Sequence, residues 1–512
     1  MNFFPRESGV LLHISSLPGA YGIGEIGPEA FKFIDHLSEM GQSLWQILPT
    51  CDTGSNRSPY TTVSAFANNP MLISFDFLLE DGYLKEAELV EFNNYSKDKV
   101  DYDRVIPERK KILDIVCNQF FERASEVGKQ KYDIFCKENE FWLNTYSLFL
   151  SLKKIHKNKI WTEWENDYSN FNKVDIEKIQ HKQQPFIQKL KIQQFLFYTQ
   201  WQRLKKYANN KGIRIVGDIP IYISHDSADV WANPDLFKLN EAGYMIFQSG
   251  CPPDYFLEDG QVWGHPIYDW DAHEKSSYAW WISRFKHLFT FVDVVRIDHF
   301  NGFAKYWEIP MDKAGGAIAQ WVKGPGEKLL SAVKRGIGSK PIIAEDLGEA
   351  ALDSEPLKEM FNIPGMKILQ MSFGYGKQLN GSIQELNQEN IVVYTGTHDN
   401  DTSIGWFQAK PGNGNTQSAN EISFERSQAL ELLGTDGSEI NWDFISFTLN
   451  SKGNTAIIPL QDILGLDSTA RMNIPGTIGG NWEWRFQKDQ LSDELIKRMR
   501  KLTEESNRLR QG

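Results

Sequence analysis

Asp293-Val294-Val295-Arg296-Ile297-Asp298-His299-Phe300 is a short, largely β-branched run that ends in charge. A strand with one face in water alternates apolar and polar residues. A strand covered on both faces, as in a parallel sheet, reads as a nearly unbroken apolar run. This segment is of the second kind. Side chains two apart on a strand share a face, so Arg296 and Asp298 stand side by side. The guanidinium is then expected to hold Asp298 ionised by direct charge interaction.

The same pattern recurs along the chain. Pro341-Ile342-Ile343-Ala344 runs into Glu345-Asp346, and Asn390–Tyr394 runs into Thr395-Gly396-Thr397-His398-Asp399-Asn400-Asp401. Further strand-like runs are Gly9–Ile14, Ser43–Leu48, Arg214–Ile219, Lys367–Met371 and Thr455–Pro459. With the opening segment, read as Phe291–Ile297, this makes eight. Helical stretches such as Glu29–Met40 and Tyr278–Leu288 alternate with them. Eight strands alternating with helices predict an α/β fold, a (β/α)₈ TIM barrel.

Two intervals exceed a simple crossover. Residues 74–200 are rich in Lys and Glu with helical periodicity, and read as a helical subdomain inserted after the second strand. Residues 224–292 are rich in Pro, Gly and Trp, and read as a long active-site loop insertion. The whole of 1–512 is expected to be one catalytic barrel domain carrying these two insertions. The tail from Ser492 reads as a charged helix.

Composition narrows the function classes. The 512 residues carry a net charge of −12, and no face-sized basic cluster stands out, which argues against nucleic acid or an anionic membrane as partner. No apolar run has signal-peptide or membrane-helix length. The four cysteines are scattered without a C-x-x-C pair, and read as buried free thiols in a reducing cytoplasm. Sixteen tryptophans leave room for a glycan cleft after core packing is served. There is no metal-ligand spacing, H-E-x-x-H or G-x-S-x-G, so no metal and no cofactor are expected.

One motif points elsewhere. Gly22-Ile23-Gly24-Glu25-Ile26-Gly27 matches the dinucleotide fingerprint G-x-G-x-x-G, and Asp52 lies roughly where a ribose-binding acid falls. The fingerprint needs its tight turn directly after the strand, however, and Ser15–Tyr21 intervenes. The glycines read as loop-forming, with an NAD-dependent oxidoreductase as the outlying alternative.

The acids at the strand ends fit glycosyl chemistry. Asp298 suits a nucleophile, and Glu345 an acid/base whose pKa its surroundings must raise. Asp399 suits a carboxylate that accepts sugar hydroxyls and steadies an oxocarbenium-like transition state, with His398 donating beside it. Asp346 reads as a cap for the following helix.

Asp, Glu and Asp in that order resemble the 4-α-glucanotransferases of glycoside hydrolase family 77. The resemblance runs almost end to end. It includes Tyr21-Gly22-Ile23-Gly24, Ser58-Pro59-Tyr60, Gly217-Asp218-Ile219-Pro220-Ile221-Tyr222, Pro252-Pro253-Asp254-Tyr255-Phe256, Gln261-Val262-Trp263-Gly264, Trp321-Val322-Lys323-Gly324-Pro325-Gly326, Ala470-Arg471-Met472-Asn473 and Asn481-Trp482-Glu483-Trp484-Arg485. It implies that Asp298 is the nucleophile, Glu345 the acid/base and Asp399 the transition-state stabiliser, with Arg296 and His398 in support. It also implies a substrate-contacting or structural role for Asp218, a sugar-stacking one for Tyr60, and an acceptor-side loop carrying Asp254, Tyr255 and Phe256. The substrates would be α-1,4-glucans and the protein a cytoplasmic monomer or homodimer. A hydrolase with the same trio is the alternative, and a glycan-binding protein without catalysis a second. Two departures are visible. His265 stands where the family often has Asn, and the family's Leu-Pro-His-Asn segment is missing between Phe373 and Asn390.

Overall fold

The computed structural model describes residues 3–54, 57–89, 94–312, 318–374, 385–412 and 414–510. Its frame is a closed parallel barrel. The described strands are β1 (Glu7–Leu11), β2 (Leu44–Gln46), β3 (Arg214–Pro220), β4 (Phe247–Cys251), β5 (Gln261–Pro266), β6 (Val294–Asp298), β7 (Lys305–Pro310), β8 (Gln320–Lys323), β9 (Ile342–Ala344), β10 (Gly365–Ile368), β11 (Ile391–Tyr394) and β12 (Thr455–Pro459). The barrel runs β1-β2-β3-β6-β9-β10-β11-β12 and closes where β12 pairs in parallel with β1, from Glu7 opposite Thr455 to Leu11 opposite Pro459. Each of the eight apolar runs read from the sequence overlaps one of these strands, although Lys367–Met371 shares only Lys367 and Ile368 with β10 and continues into the 3-10 turn Leu369–Met371. Their continuous burial explains the lack of alternation, since helices cover the outside and side-chain layers fill the inside.

One register positions the site. β3 and β6 pair from Val216 opposite Val294 to Pro220 opposite Asp298, which sets Asp218 directly beside Arg296. Both point into the mouth of the barrel, where the strands end.

Between β2 and β3 the described chain is mainly helical, through Tyr102–Arg123, Glu126–Glu138, Glu140–Ile155 and the long Ile176–Asn210. Asp101, Ser125 and Asp175 cap three of these by accepting a backbone N–H, which satisfies donors that the first turn leaves free. Residues 224–292 differ from the single long loop expected. They contain β4, β5 and the helices Ala228–Ala232, Trp270–Lys275 and Ala279–Phe291. β4 and β5 join β7 and β8 in a four-stranded antiparallel sheet, order β5-β4-β7-β8, at the barrel's mouth. The tail forms the helix Asp493–Glu505, capped by Ser492. Among the described residues no helix is long and apolar enough to cross a membrane.

The glycine motif is a packing device. A Cβ on Gly24 would lie 2.0 Å from the Ile14 carbonyl oxygen, and Gly22 has φ +79°. Glu25 accepts from buried Arg109 at 2.6 Å, and Asp52 accepts from Tyr146 at 2.7 Å and from the Gly54 N–H, so neither acid awaits a ribose. All four cysteines are free, but only Cys117 is buried. Cys51, Cys136 and Cys251 are half-buried, a correction to the expectation of four buried thiols.

Candidate active site

The strand ends surround a cleft of about 950 Å³ that Tyr60, Arg296, Asp298, Glu345, His398 and Asp399 all line. Arg296 is its electrostatic centre. The guanidinium is buried and its Nη1 donates to Asp218 Oδ2 at 2.6 Å and to Asp298 Oδ1 at 3.0 Å. Asp298 is a neighbour two along the same strand, and Asp218 faces Arg296 across the ladder. Asp218 Oδ2 also accepts the Tyr60 hydroxyl at 2.7 Å.

From the sequence, Arg296 is expected to dominate the charge state of Asp298, and the structure corrects this. Burial is the largest influence on Asp298 and pushes its carboxyl well above the ordinary range, with Asp218, Glu345 and Asp399 adding repulsion. Arg296 opposes this but is shared with Asp218, its shorter partner. Burial likewise raises Glu345, against the pull of Arg296 and two backbone N–H groups. The two carboxyls thus hold protons more readily than isolated acids do.

Glu345 directly follows β9. Its Oε2 accepts the His299 N–H at 2.6 Å and its Oε1 the Leu347 N–H at 3.1 Å, so both oxygens are aimed. His299 has a left-handed backbone, φ 52°, the strained kind of conformation that clusters at functional sites. That turn brings its N–H round from β6 onto Glu345. Burial holds its imidazole to about 4, hence neutral at neutral pH. Asp346, expected as a helix cap, instead accepts the Met366 N–H at 2.8 Å and pairs with buried Lys358, tying β9 to β10; the helix Ala351–Phe361 has no side-chain cap.

Asp399 lies on the loop after β11. Its Oδ1 accepts from Asn473 Nδ2 at 2.6 Å and its Oδ2 lies 3.3 Å from His398 Nε2. Burial lowers the His398 pKa, so the ring is neutral and an Nε2–H tautomer fits the contact. Tyr60 stacks on His398 with centroids 5.1 Å apart and planes 13° off parallel, and Trp482 packs against both. Asn473 and Trp482 were not singled out as site residues from the sequence. The motifs Ala470–Asn473 and Asn481–Arg485 carried them only as family likeness, because they lie far along the chain from the acids they serve.

The Pro252-Pro253 loop also lines the cleft. Asp254, expected to meet substrate, spends its oxygens on the loop itself. Oδ1 accepts the N–H groups of Phe256 and Leu257, and Oδ2 accepts Gln261 Nε2 at 2.6 Å. Tyr255 and Phe256 stay half-buried at the cleft, edge to face at 5.2 Å. His265, also in the wall, is held by burial to about 4, a neutral group where the family often has the neutral Asn. Residues 375–384, which span most of the region where Leu-Pro-His-Asn was sought, lie outside the described residues. Among the described residues no group of three His, Cys, Asp or Glu side chains is arranged to hold a metal ion.

A parallel barrel with acids gathered at its strand ends, in a cleft walled by aromatic rings, has the architecture of an enzyme active site. A family model described as 4-alpha-glucanotransferase, of glycoside hydrolase family 77, matches residues 12–491. The 4-alpha-glucanotransferase of Synechocystis sp. is 41% identical over 502 residues, covering 98% of this chain and 97% of that one. That of Streptococcus pneumoniae is 41% identical over 507 residues, covering 97% and 96%. The amylomaltase from Streptococcus agalactiae, solved in complex with acarbose, matches with a TM-score of 0.90 at 35% identity, covering 99% of this chain and 100% of that one. The chain belongs to the 4-alpha-glucanotransferase family, glycoside hydrolase family 77, and is a transferase acting on α-1,4-glucans. The oxidoreductase reading of the glycine motif falls with that.

Proposed function

We propose that the enzyme moves α-1,4-glucan segments to the 4-hydroxyl of an acceptor glucan or glucose by double displacement through a glycosyl ester on Asp298. The observation that carries this is the guanidinium of Arg296, which touches Asp298 and, among the described residues, has no hydrogen bond or ion pair to Glu345. Both carboxyls are raised and repel each other, so one proton is shared. Asp298, its side chain 29% exposed and in contact with a fixed cation, is better solvated as the anion than buried Glu345, which leaves the proton to Glu345.

In the first displacement, Glu345 gives its proton to the glycosidic oxygen while the Asp298 carboxylate attacks the anomeric carbon, and the leaving chain departs with that proton. Asp399, oriented by Asn473 and His398, accepts hydroxyls of the sugar ring and opposes its developing positive charge. In the second, Glu345, now a carboxylate, takes the proton of the incoming 4-hydroxyl, whose oxygen displaces Asp298 and restores the α configuration. The stacked Tyr60 and His398 offer a wall to the sugar whose bond is cut.

Water competes with a sugar for the ester, and the trio alone does not choose. Tyr255 and Phe256, on a loop that Asp254 and two prolines stiffen, support the choice of a sugar by holding it at low entropic cost. That the Streptococcus agalactiae amylomaltase was solved in complex with acarbose supports a saccharide-like ligand for this chain. The expected product pattern from maltotriose is a ladder of longer oligosaccharides plus glucose with nearly constant reducing ends. A steady rise in reducing ends without longer products would establish the hydrolase alternative.

A further inference from the structure

The cleft wall includes Trp321 and the turn Leu347–Ala350 that follows Glu345 in the chain. Trp321 on β8 stands directly opposite Trp307 on β7, their rings 5.1 Å apart and tilted by 66°. Directly opposite residues of antiparallel strands lie on one face. The row continues across the sheet, with Gly250 of β4 opposite Trp307 and Val262 of β5 opposite Gly250. At Gly250 the row is closely packed, and only a glycine fits. A Cβ there would lie 2.7 Å from Ile309 Cδ1 and 2.1 Å from the Gln261 carbonyl oxygen.

Both tryptophans stay half-buried and Val262 is 65% exposed. Cys251, Gln261 and Trp263, which line the cleft, alternate to the other face of the sheet, so the row meets the cleft at Trp321 on the edge strand. A part-exposed apolar row that borders a cleft marks a ligand-binding surface. Lys305 Nζ lies 4.7 Å from the Trp321 ring centroid and pairs with Asp353 at 2.7 Å, which restrains the ring. None of these groups takes part in the two displacements at Asp298. Sugars of an α-1,4-glucan present C–H faces that turn from one residue to the next, and two tilted rings suit two such faces. The row is continuous with the cleft through Trp321, so the glucan itself is the molecule that reaches it.

We infer that Trp321 and Trp307 form an outlying α-glucan subsite that takes the distal sugars of a chain whose reacting end lies at Glu345. The inference rests on the assignment of Glu345 as acid/base, which makes the wall that follows it the leaving-group and acceptor side. Its consequence is a preference for long chains over short ones.

The test compares maltoheptaose with maltotriose. Trp307→Ala and Trp321→Ala are each expected to lower the maltoheptaose-to-maltotriose ratio of kcat/KM by roughly fivefold, the size of one lost aromatic contact. Trp307→Phe is expected to recover most of the ratio. Calorimetric titration of maltoheptaose gives the same comparison without turnover, so a failure of the transfer mechanism shows separately, as a wild type that makes no ladder. If neither alanine variant folds, Val262→Glu, at an exposed site, is read instead and is expected to lower the ratio and the affinity. An unchanged ratio with unchanged maltoheptaose affinity in the folded variants overturns the inference.

Discussion

Replacing Arg296 with Met removes the cation and keeps an apolar chain of similar length. Asp218, whose side chain is 0% exposed, then keeps the Tyr60 hydroxyl as its polar partner among the described residues, and Asp298 loses its cationic contact. Breaking a buried pair by deleting one partner costs about 3–5 kcal/mol, because the charge left behind is uncompensated. Unfolding entropy of about 2.1 cal/mol/K per residue gives roughly 1.1 kcal/mol per degree for a cooperative chain of 512 residues. The expected fall in Tm at pH 7 is therefore about 3–5 °C. The pH dependence is set by the direction of the shift. Without the guanidinium, the folded-state pKa of Asp298, already raised, lies further above its unfolded value. Carboxyls raised in this way weaken the fold above the unfolded pKa, and the penalty is relieved as pH falls and they take up protons. The Tm gap between wild type and variant should thus be widest near pH 8 and narrow towards pH 5. Differential scanning calorimetry at fixed scan rate across that range measures it. An unchanged Tm at pH 7, or a gap that widens at pH 5, would refute the idea that Arg296 compensates two carboxylates.

Asp298→Asn and Glu345→Gln should each lose at least about 10³-fold in kcat with Tm nearly unchanged, since removing a nucleophile or its acid removes the step and not the packing. The alkaline limb of kcat/KM should lie above the ordinary Glu range, because burial raises Glu345 and the rate falls only as pH passes through its raised pKa and the acid form is lost. A limb at the ordinary Glu value would show that another group supplies the proton. Asn473→Ala frees Asp399 Oδ1 and should cost roughly 10-fold in kcat, with smaller effect on KM, because Asp399 is proposed to act in the transition state. Activity should survive EDTA, and added NAD should produce no saturable spectral change.

The barrel was legible because its information is local. β3, β6, β11 and β12 are continuous β-branched runs, and strand burial on both faces writes itself into each run separately. The antiparallel sheet was not legible for the opposite reason. β4 and β5 lie before β6, their partners β7 and β8 after it, and each is a short strand beside Pro and Gly. Nothing in Phe247–Cys251 alone announces a partner at Lys305–Pro310. The site divides in the same way. Asp298, Glu345 and Asp399 each end an apolar run and could be found one at a time. The sharing of Arg296 depends on the register that sets Asp218 beside it, a property of two strands about 80 residues apart. Asp254 misled because a carboxylate in a cleft loop looks the same in sequence whether it faces a ligand or its own backbone N–H groups.

A covalent bond between glucan and the Asp298 carboxylate is directly visible to mass spectrometry. A fluorinated α-glucosyl donor that forms the ester quickly and releases it slowly should label the protein once per chain. After proteolysis the added glycosyl mass should sit on the peptide containing Asp298, and Asp298→Asn should abolish it. A label on Glu345 or Asp399, or full turnover with no label on Asp298, would contradict the account.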